Sequence, residues 1–308
     1  MNPPDNILNP ADFNNQPNQN VNNQSFFRSI FKEFTFLFTI LLLLNSFIFI
    51  LGIFGIYETF DFSICDWPIR YKNQYYRIFT HNLIHLSFIH IFFNMIFFYF
   101  VGPQVEKRIG TIFTFIYIFH SVIILSIVYL MIAKLLDYFL VHFMKFKDFN
   151  YDFYCSIGFS GVLFSLFYFW CNFSSISETY QNFLLVAPIK SKFLPFCYLI
   201  FLQILNPNSS FLGHLSGIIS GVLIKYFFVF FTFPNKNWIQ NFENKTHNGC
   251  WANFLEKLNY KRIESVGNQD ISEIDVQISD FSFIKLFKRI FNRNNSNNNF
   301  ERQQDQEN

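Results

Sequence analysis

Long apolar runs separated by short polar connections dominate the middle of the chain. A bilayer hydrocarbon core about 30 Å thick needs roughly 20 apolar residues per helix, and runs of about this length recur along the sequence. The predicted spans cover residues 34–57, 84–101, 111–133, 157–173, 193–205 and 211–233. The fifth run is short, which indicates a tilted helix, one that extends toward Leu184, or one that lies where the bilayer is thin. The pattern therefore predicts an all-α polytopic membrane protein with six transmembrane helices.

Polar segments flank the predicted spans and divide the chain into three regions. Residues 1–33 are rich in Asn, Gln and Pro, so they predict a disordered N-terminal tail. Residues 34–233 hold the six-helix domain, and residues 234–308 predict a largely disordered C-terminal tail. Within that tail, residues 283–291 mix Phe, Ile and Leu with Lys and Arg. This mixture favours a basic amphipathic helix that binds a membrane or a cytosolic partner; a short marginal helix without a partner is the alternative.

The composition supports the membrane assignment. Of 308 residues, 51% are hydrophobic and only 14% are charged, whereas soluble domains carry about a quarter charged residues. The net charge of +2 and the lack of a basic stripe argue against nucleic acid as a partner. Five cysteines show neither Cys-x-x-Cys spacing nor the density of a disulfide scaffold, which favours structural thiols. As an alternative, Cys65 and Cys155 fall in loops on one side, where an oxidising lumen would let them pair.

Polar residues occur at the starts of three predicted spans. A six-span chain has both ends on one side, and we place them in the cytosol, although the positive-inside bias is weak. The second, fourth and sixth spans then all begin at the outer face. The polar residues at these starts are His85, His90, Asn94, Ser160 and His214. Since polar groups are costly inside a membrane, their shared depth predicts a functional site.

The spacing of these residues indicates which side chains meet. His90 and Asn94 are four residues apart, so they lie on one helix face and can donate hydrogen bonds toward a shared point. An alternative is a zinc site formed by His81, His85 and His90. That spacing matches no recognised zinc motif, and no thiol or carboxylate accompanies it. We therefore expect no metal and no cofactor.

Glycines accompany the polar residues on the fourth and sixth spans. His214, Gly217 and Gly221 form a stripe on one helix face, and Gly161 lies beside Ser160. Small residues let helices in lipid approach closely. The approach would bring the Ser160 hydroxyl within hydrogen-bond reach of the His214 imidazole. No Asp or Glu lies in the spans at this depth, so the pattern predicts a dyad.

Taken singly, each of these residues has an ordinary structural explanation. A serine in a membrane helix usually bonds to its own backbone one turn earlier. A histidine on an apolar face is usually a packing residue, which is our interpretation of His120. Only the joint pattern favours chemistry.

Four motifs follow one another between about residues 76 and 221. They are Arg77-Ile78-Phe79-Thr80-His81; His85, His90, Asn94 and Met95 followed by Gly102, Glu106 and Gly110; Gly158-Phe159-Ser160-Gly161; and His214-Leu215-Ser216-Gly217. In residues and order they resemble the motifs of the rhomboid intramembrane serine proteases. The motifs around Ser160 and His214 are further similar to the endoplasmic-reticulum branch related to rhomboid-like protein four. The family's usual Tyr one turn after the nucleophile is Phe164 here.

The resemblance implies a role for each of these residues. Ser160 would be the nucleophile and His214 the general base, while His90, Asn94 and the Ser160 backbone N–H would bind the oxyanion. The supporting residues would be His85, Gly158, Gly161, Phe164, Gly217 and Gly221. The implied substrates are single-span membrane proteins within the lipid bilayer.

Two other classes of function compete with a protease. A catalytically inactive relative would bind unstable membrane helices for dislocation or quality control, but such proteins typically lose the nucleophile or the base. A channel or transporter would carry polar residues through the full depth of its spans, whereas those of this chain stop near one face. The endoplasmic reticulum is the expected location, with the Golgi or another endomembrane as the alternative.

Overall fold

The fold is known from a computed structural model that describes residues 33–145, 155–183, 187–228, 234, 236–246 and 250–265. The predicted N-terminal tail, apart from its last residue, and the predicted amphipathic helix at 283–291 lie outside the described residues. The elements below belong to a compact unit that begins at Thr35.

Each of the six apolar segments contains a helix. These helices are α1 (Phe36–Ile53), α4 (Phe88–Ile109), α5 (Thr111–His142), α6 (Ser160–Cys171), α8 (Leu194–Leu205) and α9 (Phe211–Leu223). Shorter elements connect them: a 3-10 turn (Thr59–Phe62), α2 (Asp66–Lys72), α3 (Arg77–Thr80), α7 (Ser174–Ser177), β1 (Tyr180–Phe183), β2 (Ala187–Lys190), a 3-10 turn (Ser191–Phe193) and a π-turn (Ile224–Phe228). The strands β1 and β2 form an antiparallel hairpin.

Three helices of the described chain are long and apolar enough to cross a membrane. They are α1, α4 and α5, with 18, 22 and 32 residues, while α6, α8 and α9 are apolar but shorter. Helix α9 packs mainly against α6 and α5, and α4 packs against α6 and α1. The protein is therefore a mostly helical membrane protein with α6 and α9 at its centre.

The second apolar helix differs from the sequence prediction at both ends. We expected a turn over residues 102–110, but α4 runs without a break to Ile109 and contains Pro103. The added turns bury Val105 and Ile109 completely or nearly so. Burial of this apolar face stabilises the helix more than Pro103 destabilises it.

A buried carboxylate joins the start of α1, the end of α4 and the start of α5. Glu106 accepts hydrogen bonds from the backbone N–H groups of Leu37 and Phe38, at 3.0 and 3.1 Å. It also accepts from the hydroxyls of Thr35 and Thr111. Four donors therefore satisfy a carboxylate that is 1% exposed, and the first turn of α1 is capped by a side chain from another helix.

Part of the segment predicted as a largely disordered C-terminal tail is helical in the described structure. Helices α10 (Lys236–Thr246) and α11 (Cys250–Lys257) follow α9. The chain then returns to the core, where the Thr111 N–H donates to the Lys261 carbonyl at 2.9 Å. Burial of Ile263 beside this bond explains the order, because an apolar residue that packs on the core offsets the entropy cost of ordering the segment.

Candidate active site

Ser160 and His214 meet between α6 and α9. Ser160 is the first residue of α6, and His214 lies in the first turn of α9. The Nε2 atom of His214 is 2.9 Å from the Oγ atom of Ser160. The Ser210 hydroxyl caps α9 by accepting a hydrogen bond from the Gly213 N–H at 3.1 Å, which fixes the turn that carries the histidine.

Glycines allow this contact because the two helix backbones almost touch. A Cβ atom on Gly217 would lie 2.1 Å from the Gly161 carbonyl oxygen. A Cβ atom on Gly161 would lie 3.3 Å from the Gly213 carbonyl oxygen. Any larger residue at Gly217 would push the helices apart one turn from His214.

The imidazole of His214 is held by packing on one side and by Ser160 on the other. Its ring lies 4.9 Å from the ring of Phe164, tilted by 35°. Its Nδ1 atom is buried and has no hydrogen-bond partner among the residues that the structure describes. Within that part of the chain the arrangement is thus a serine–histidine pair.

His90 and Asn94 converge on the backbone just before Ser160. The Ser87 hydroxyl caps α4 by accepting from the His90 N–H at 3.2 Å. Gly158 has φ +111°, and a Cβ atom there would lie 2.6 Å from the His90 Nε2 atom and 3.5 Å from the Asn94 Nδ2 atom. The Asn94 Nδ2 atom is buried and lacks a hydrogen-bond partner in the described structure. Two potential donors therefore lie against the Gly158 backbone, two residues before Ser160.

Residues 155–159, which we call the strap, lead directly into Ser160. The Gly158 N–H donates to the His81 carbonyl at 2.8 Å, and the Phe159 N–H lies 3.4 Å from the His85 Nε2 atom. Burial lowers the pKa of His81 to about 4, so its ring is neutral near pH 7. Two histidines that precede α4 therefore hold the backbone of the strap in place.

The strap is also bonded to the loop that precedes α2. Ile64 and Ser156 form an antiparallel bridge with two backbone hydrogen bonds of 3.0 Å. Cys65 and Cys155 form a disulfide, so the pairing considered from the sequence is present. Sequence reasoning missed the Ile64–Ser156 bridge, because an isolated bridge between distant loops leaves no periodic signal.

Arg77 is a second site-supporting residue whose role the sequence did not reveal. It is 4% exposed and donates to the carbonyls of Phe60 and Ser63, at 2.5 and 2.8 Å. Its Nε atom donates to the Gln74 side chain at 2.8 Å. The available signal was its place at the start of the Arg77-Ile78-Phe79-Thr80-His81 motif. In the structure its buried charge is satisfied by several acceptors.

Two further residues considered in the sequence are Gly221, which lies beside α6 near the site, and His120, which the sequence predicts to be a packing residue. Gly221 faces α6 one turn beyond Gly217, and its Cβ position is 3.0 Å from the Ser165 carbonyl oxygen. His120 lies on α5, and its Nδ1 atom is 2.7 Å from the Ile116 carbonyl of its own helix. The residues singled out by the sequence thus cluster, whereas His120 is a packing residue as expected.

These features define a class: a helical membrane protein with a part-buried Ser–His contact near imidazole and amide donors from a third helix. The model of the Rhomboid domain matches residues 72–231, slightly more than half of the chain. The chain belongs to the rhomboid family, as its motifs predicted.

Named relatives give the same assignment. The chain is 30% identical to Rhomboid-like protein 15 of Arabidopsis thaliana over 194 residues, which cover 61% of this chain and 45% of that protein. It is 31% identical to Rhomboid-related protein 4 of Homo sapiens over 153 residues, covering 49% and 45%. Rhomboid-type serine protease 2 of Debaryomyces hansenii is 26% identical over 208 residues, covering 66% and 68%. The chain thus spans about half the length of the first two relatives.

Proposed function

We propose that the protein is an intramembrane serine endopeptidase that uses a Ser160–His214 dyad. The single observation that carries the proposal is the 2.9 Å contact between the Ser160 Oγ and His214 Nε2 atoms. The Ser160 hydroxyl donates to Nε2 and transfers its proton there as Oγ attacks the scissile carbonyl carbon. The imidazolium then protonates the leaving amine, and an acyl-enzyme forms on Ser160. His214 next activates a water molecule that hydrolyses the ester.

The developing oxyanion is stabilised by donors from two helices. We assign this role to the side chains of His90 and Asn94, which lie against Gly158, and to the Ser160 backbone N–H two residues later. An unpaired buried donor such as Asn94 Nδ2 is costly in the resting protein and gains a partner when negative charge develops. Preorganised donors of this kind contribute several kcal/mol to catalysis.

The proposal places six helices across the membrane with both chain ends in the cytosol. The starts of α4, α6 and α9 then lie at the outer face, where a polar cavity admits the water that hydrolysis consumes. The disulfide between Cys65 and Cys155 supports an oxidising compartment on that side. The lumen of the endoplasmic reticulum fits this requirement, and helix α8 is the movable wall that admits substrate from the bilayer.

The substrates we propose are single-span membrane proteins whose helix unwinds easily near the outer face. Purified protein in liposomes should cleave such a reporter, and Ser160→Ala and His214→Ala should each abolish cleavage while α-helical content stays unchanged. His120→Ala is the matched control, because His120 bonds to its own helix and should leave cleavage intact.

A serine-reactive phosphonate separates the protease from a binding scaffold. The protease is labelled at Ser160, and His214→Ala slows the labelling, since an unactivated serine is a weak nucleophile. If neither cleavage nor labelling of the parent occurs, the protein is an inactive rhomboid that binds unstable membrane helices. Membership of a family that includes a named serine protease supports the first outcome.

A further inference from the structure

The disulfide between Cys65 and Cys155 joins the strap to the loop that precedes α2, which we call the first loop. Cys155 lies five residues before Ser160. The bond closes a loop with a sequence separation of 90 residues. Beside it, the Ile64–Ser156 bridge contributes two backbone hydrogen bonds. The covalent link and the bridge together attach the strap to the first loop.

The loop side of this link is rigid. Ile64 is 1% exposed and packs with Ile69 and with Tyr129 of α5, and Leu212 of α9 lies against the same cluster. Arg77 holds the neighbouring Ser63 carbonyl at 2.8 Å. The first loop therefore offers a fixed point to which the strap is bonded.

The strap in turn contacts both helices of the dyad. The Ser156 Oγ atom lies 2.6 Å from the position of a Cβ atom on Gly213, the residue before His214. Gly158 faces the donors of α4 as described above, and the chain then enters α6 at Ser160. A displacement of the strap therefore moves the nucleophile, its base and the donors beside Gly158 relative to one another.

We propose that the Cys65–Cys155 disulfide is a reducible positioning bond that sets the reactivity of Ser160. The assignment rests on the proposed protease function. With the bond intact, the strap is anchored and Ser160 is aligned with His214. With the bond broken, the strap keeps the Ile64–Ser156 bridge and the hydrogen bonds to the two histidines but loses its covalent link to the first loop.

The reaction requires a dithiol reductant. Cys155 is half-buried and Cys65 is 3% exposed, so a thiolate of the reductant attacks the Cys155 Sγ atom. Cys65 leaves as a thiolate and takes up a proton, and a mixed disulfide forms on Cys155. The second thiol of the reductant then displaces Cys155, which leaves two protein thiols and an oxidised, disulfide-bonded reductant. A dithiol of the compartment that faces this loop can thus slow the enzyme.

The test measures labelling of Ser160 by a fluorophosphonate in the full-length protein, reconstituted in liposomes. The labelling rate of the parent protein is measured in three states: oxidised, reduced with dithiothreitol, and reoxidised. Mass spectrometry counts the free thiols in each state. The expected result is a reversible loss of about tenfold or more in the maximal labelling rate constant, since a misplacement of about 1 Å at a reacting group costs on the order of 100-fold. The Cys65→Ser/Cys155→Ser double variant should label slowly whether or not dithiothreitol is present.

Two controls distinguish positioning from general stabilisation. Cys197→Ser, in α8, should respond to dithiothreitol as the parent does. Hydrogen exchange should rise after reduction in residues 155–165 and in the first loop, and should stay unchanged in α1. A rise throughout the helices would show a general stabiliser and overturn the assignment, as would slower labelling with no change in the strap.

The labelling outcomes also separate this inference from the proposed function. Equal labelling of oxidised and fully reduced parent overturns the positioning role and leaves the protease intact. No labelling of the oxidised parent overturns the protease and the positioning role together.

Discussion

Replacement of Gly217 by alanine tests the close approach of α6 and α9 on which the dyad depends. The new Cβ atom would start 2.1 Å from the Gly161 carbonyl oxygen, 2.9 Å from its carbonyl carbon and 3.1 Å from its Cα atom. All three neighbours are backbone atoms of α6, so no side chain can rotate away. Restoring an ordinary contact requires the helices to separate by about 1.3 Å, since close packing leaves no free space to absorb the methyl group.

This separation acts directly on the serine–histidine contact. Gly161 is adjacent to Ser160, and Gly217 is one turn from His214, so most of the displacement appears in the 2.9 Å distance between Oγ and Nε2. We expect Gly217→Ala to lower the labelling rate of Ser160 on the order of 100-fold. Overpacking should also cost about 1–3 kcal/mol of stability, which thermal unfolding in detergent will measure.

Gly221→Ala is the matched control on the same helix. Its Cβ atom would lie 3.0 Å from the Ser165 carbonyl oxygen and from the Tyr168 ring. Ordinary contact is therefore restored if α6 and α9 separate by about 0.4 Å. We expect a small change in stability and less than a tenfold loss of labelling. The close approach is refuted if Gly217→Ala labels as fast as the parent, or if the two alanine variants behave alike.

Two further predictions concern carboxylates away from the dyad. Glu106→Gln should destabilise the protein by about 1–3 kcal/mol, which thermal unfolding will measure. The reason is that the amide NH₂ group would face hydrogen-bond donors of α1 or Thr111 in either orientation of the side chain. An unchanged melting temperature would contradict the observed bonding. Hydrogen bonds from Lys190 and Lys192 lower the pKa of the exposed Glu178 carboxyl from 4.5 to about 2. The pairing should therefore stabilise the β1–β2 hairpin fully above about pH 4.5 and be lost as the pH falls through about 2. In a pH titration followed by NMR, the chemical shift of the Glu178 carboxyl carbon should change with a midpoint near pH 2. In the Lys190→Ala/Lys192→Ala double variant this midpoint should move toward pH 4.5. A midpoint near 4.5 in the parent would show that the pairs do not form.

The sequence predicted the helices better than their ends. Apolar run length located six segments that each contain a helix, because a helix long enough for a bilayer needs a run of predominantly apolar residues. It failed at Pro103, where local composition suggested a turn, and it did not locate the helices after Pro234. At both places the outcome depended on burial against distant residues, which no local pattern contains.

The residues of the candidate site were also visible in the sequence. Polar side chains at the starts of three predicted helices are rare enough in a membrane protein to identify Ser160, His214, His90 and Asn94 as a group. Helix parity placed them at one depth, and spacing placed glycines beside the serine and the histidine. Family membership then followed from the order of the same motifs.

Only the tertiary structure decided how these residues are held. The 2.9 Å contact depends on backbones that approach at Gly161 and Gly217, and on a strap fixed by Ile64 and by the disulfide. These contacts join residues that are far apart in the chain. Periodicity and composition determine which segments become apolar helices. The distance between α6 and α9, the pairing of Ile64 with Ser156 and the hydrogen-bond partners of the buried Glu106 depend on three-dimensional packing.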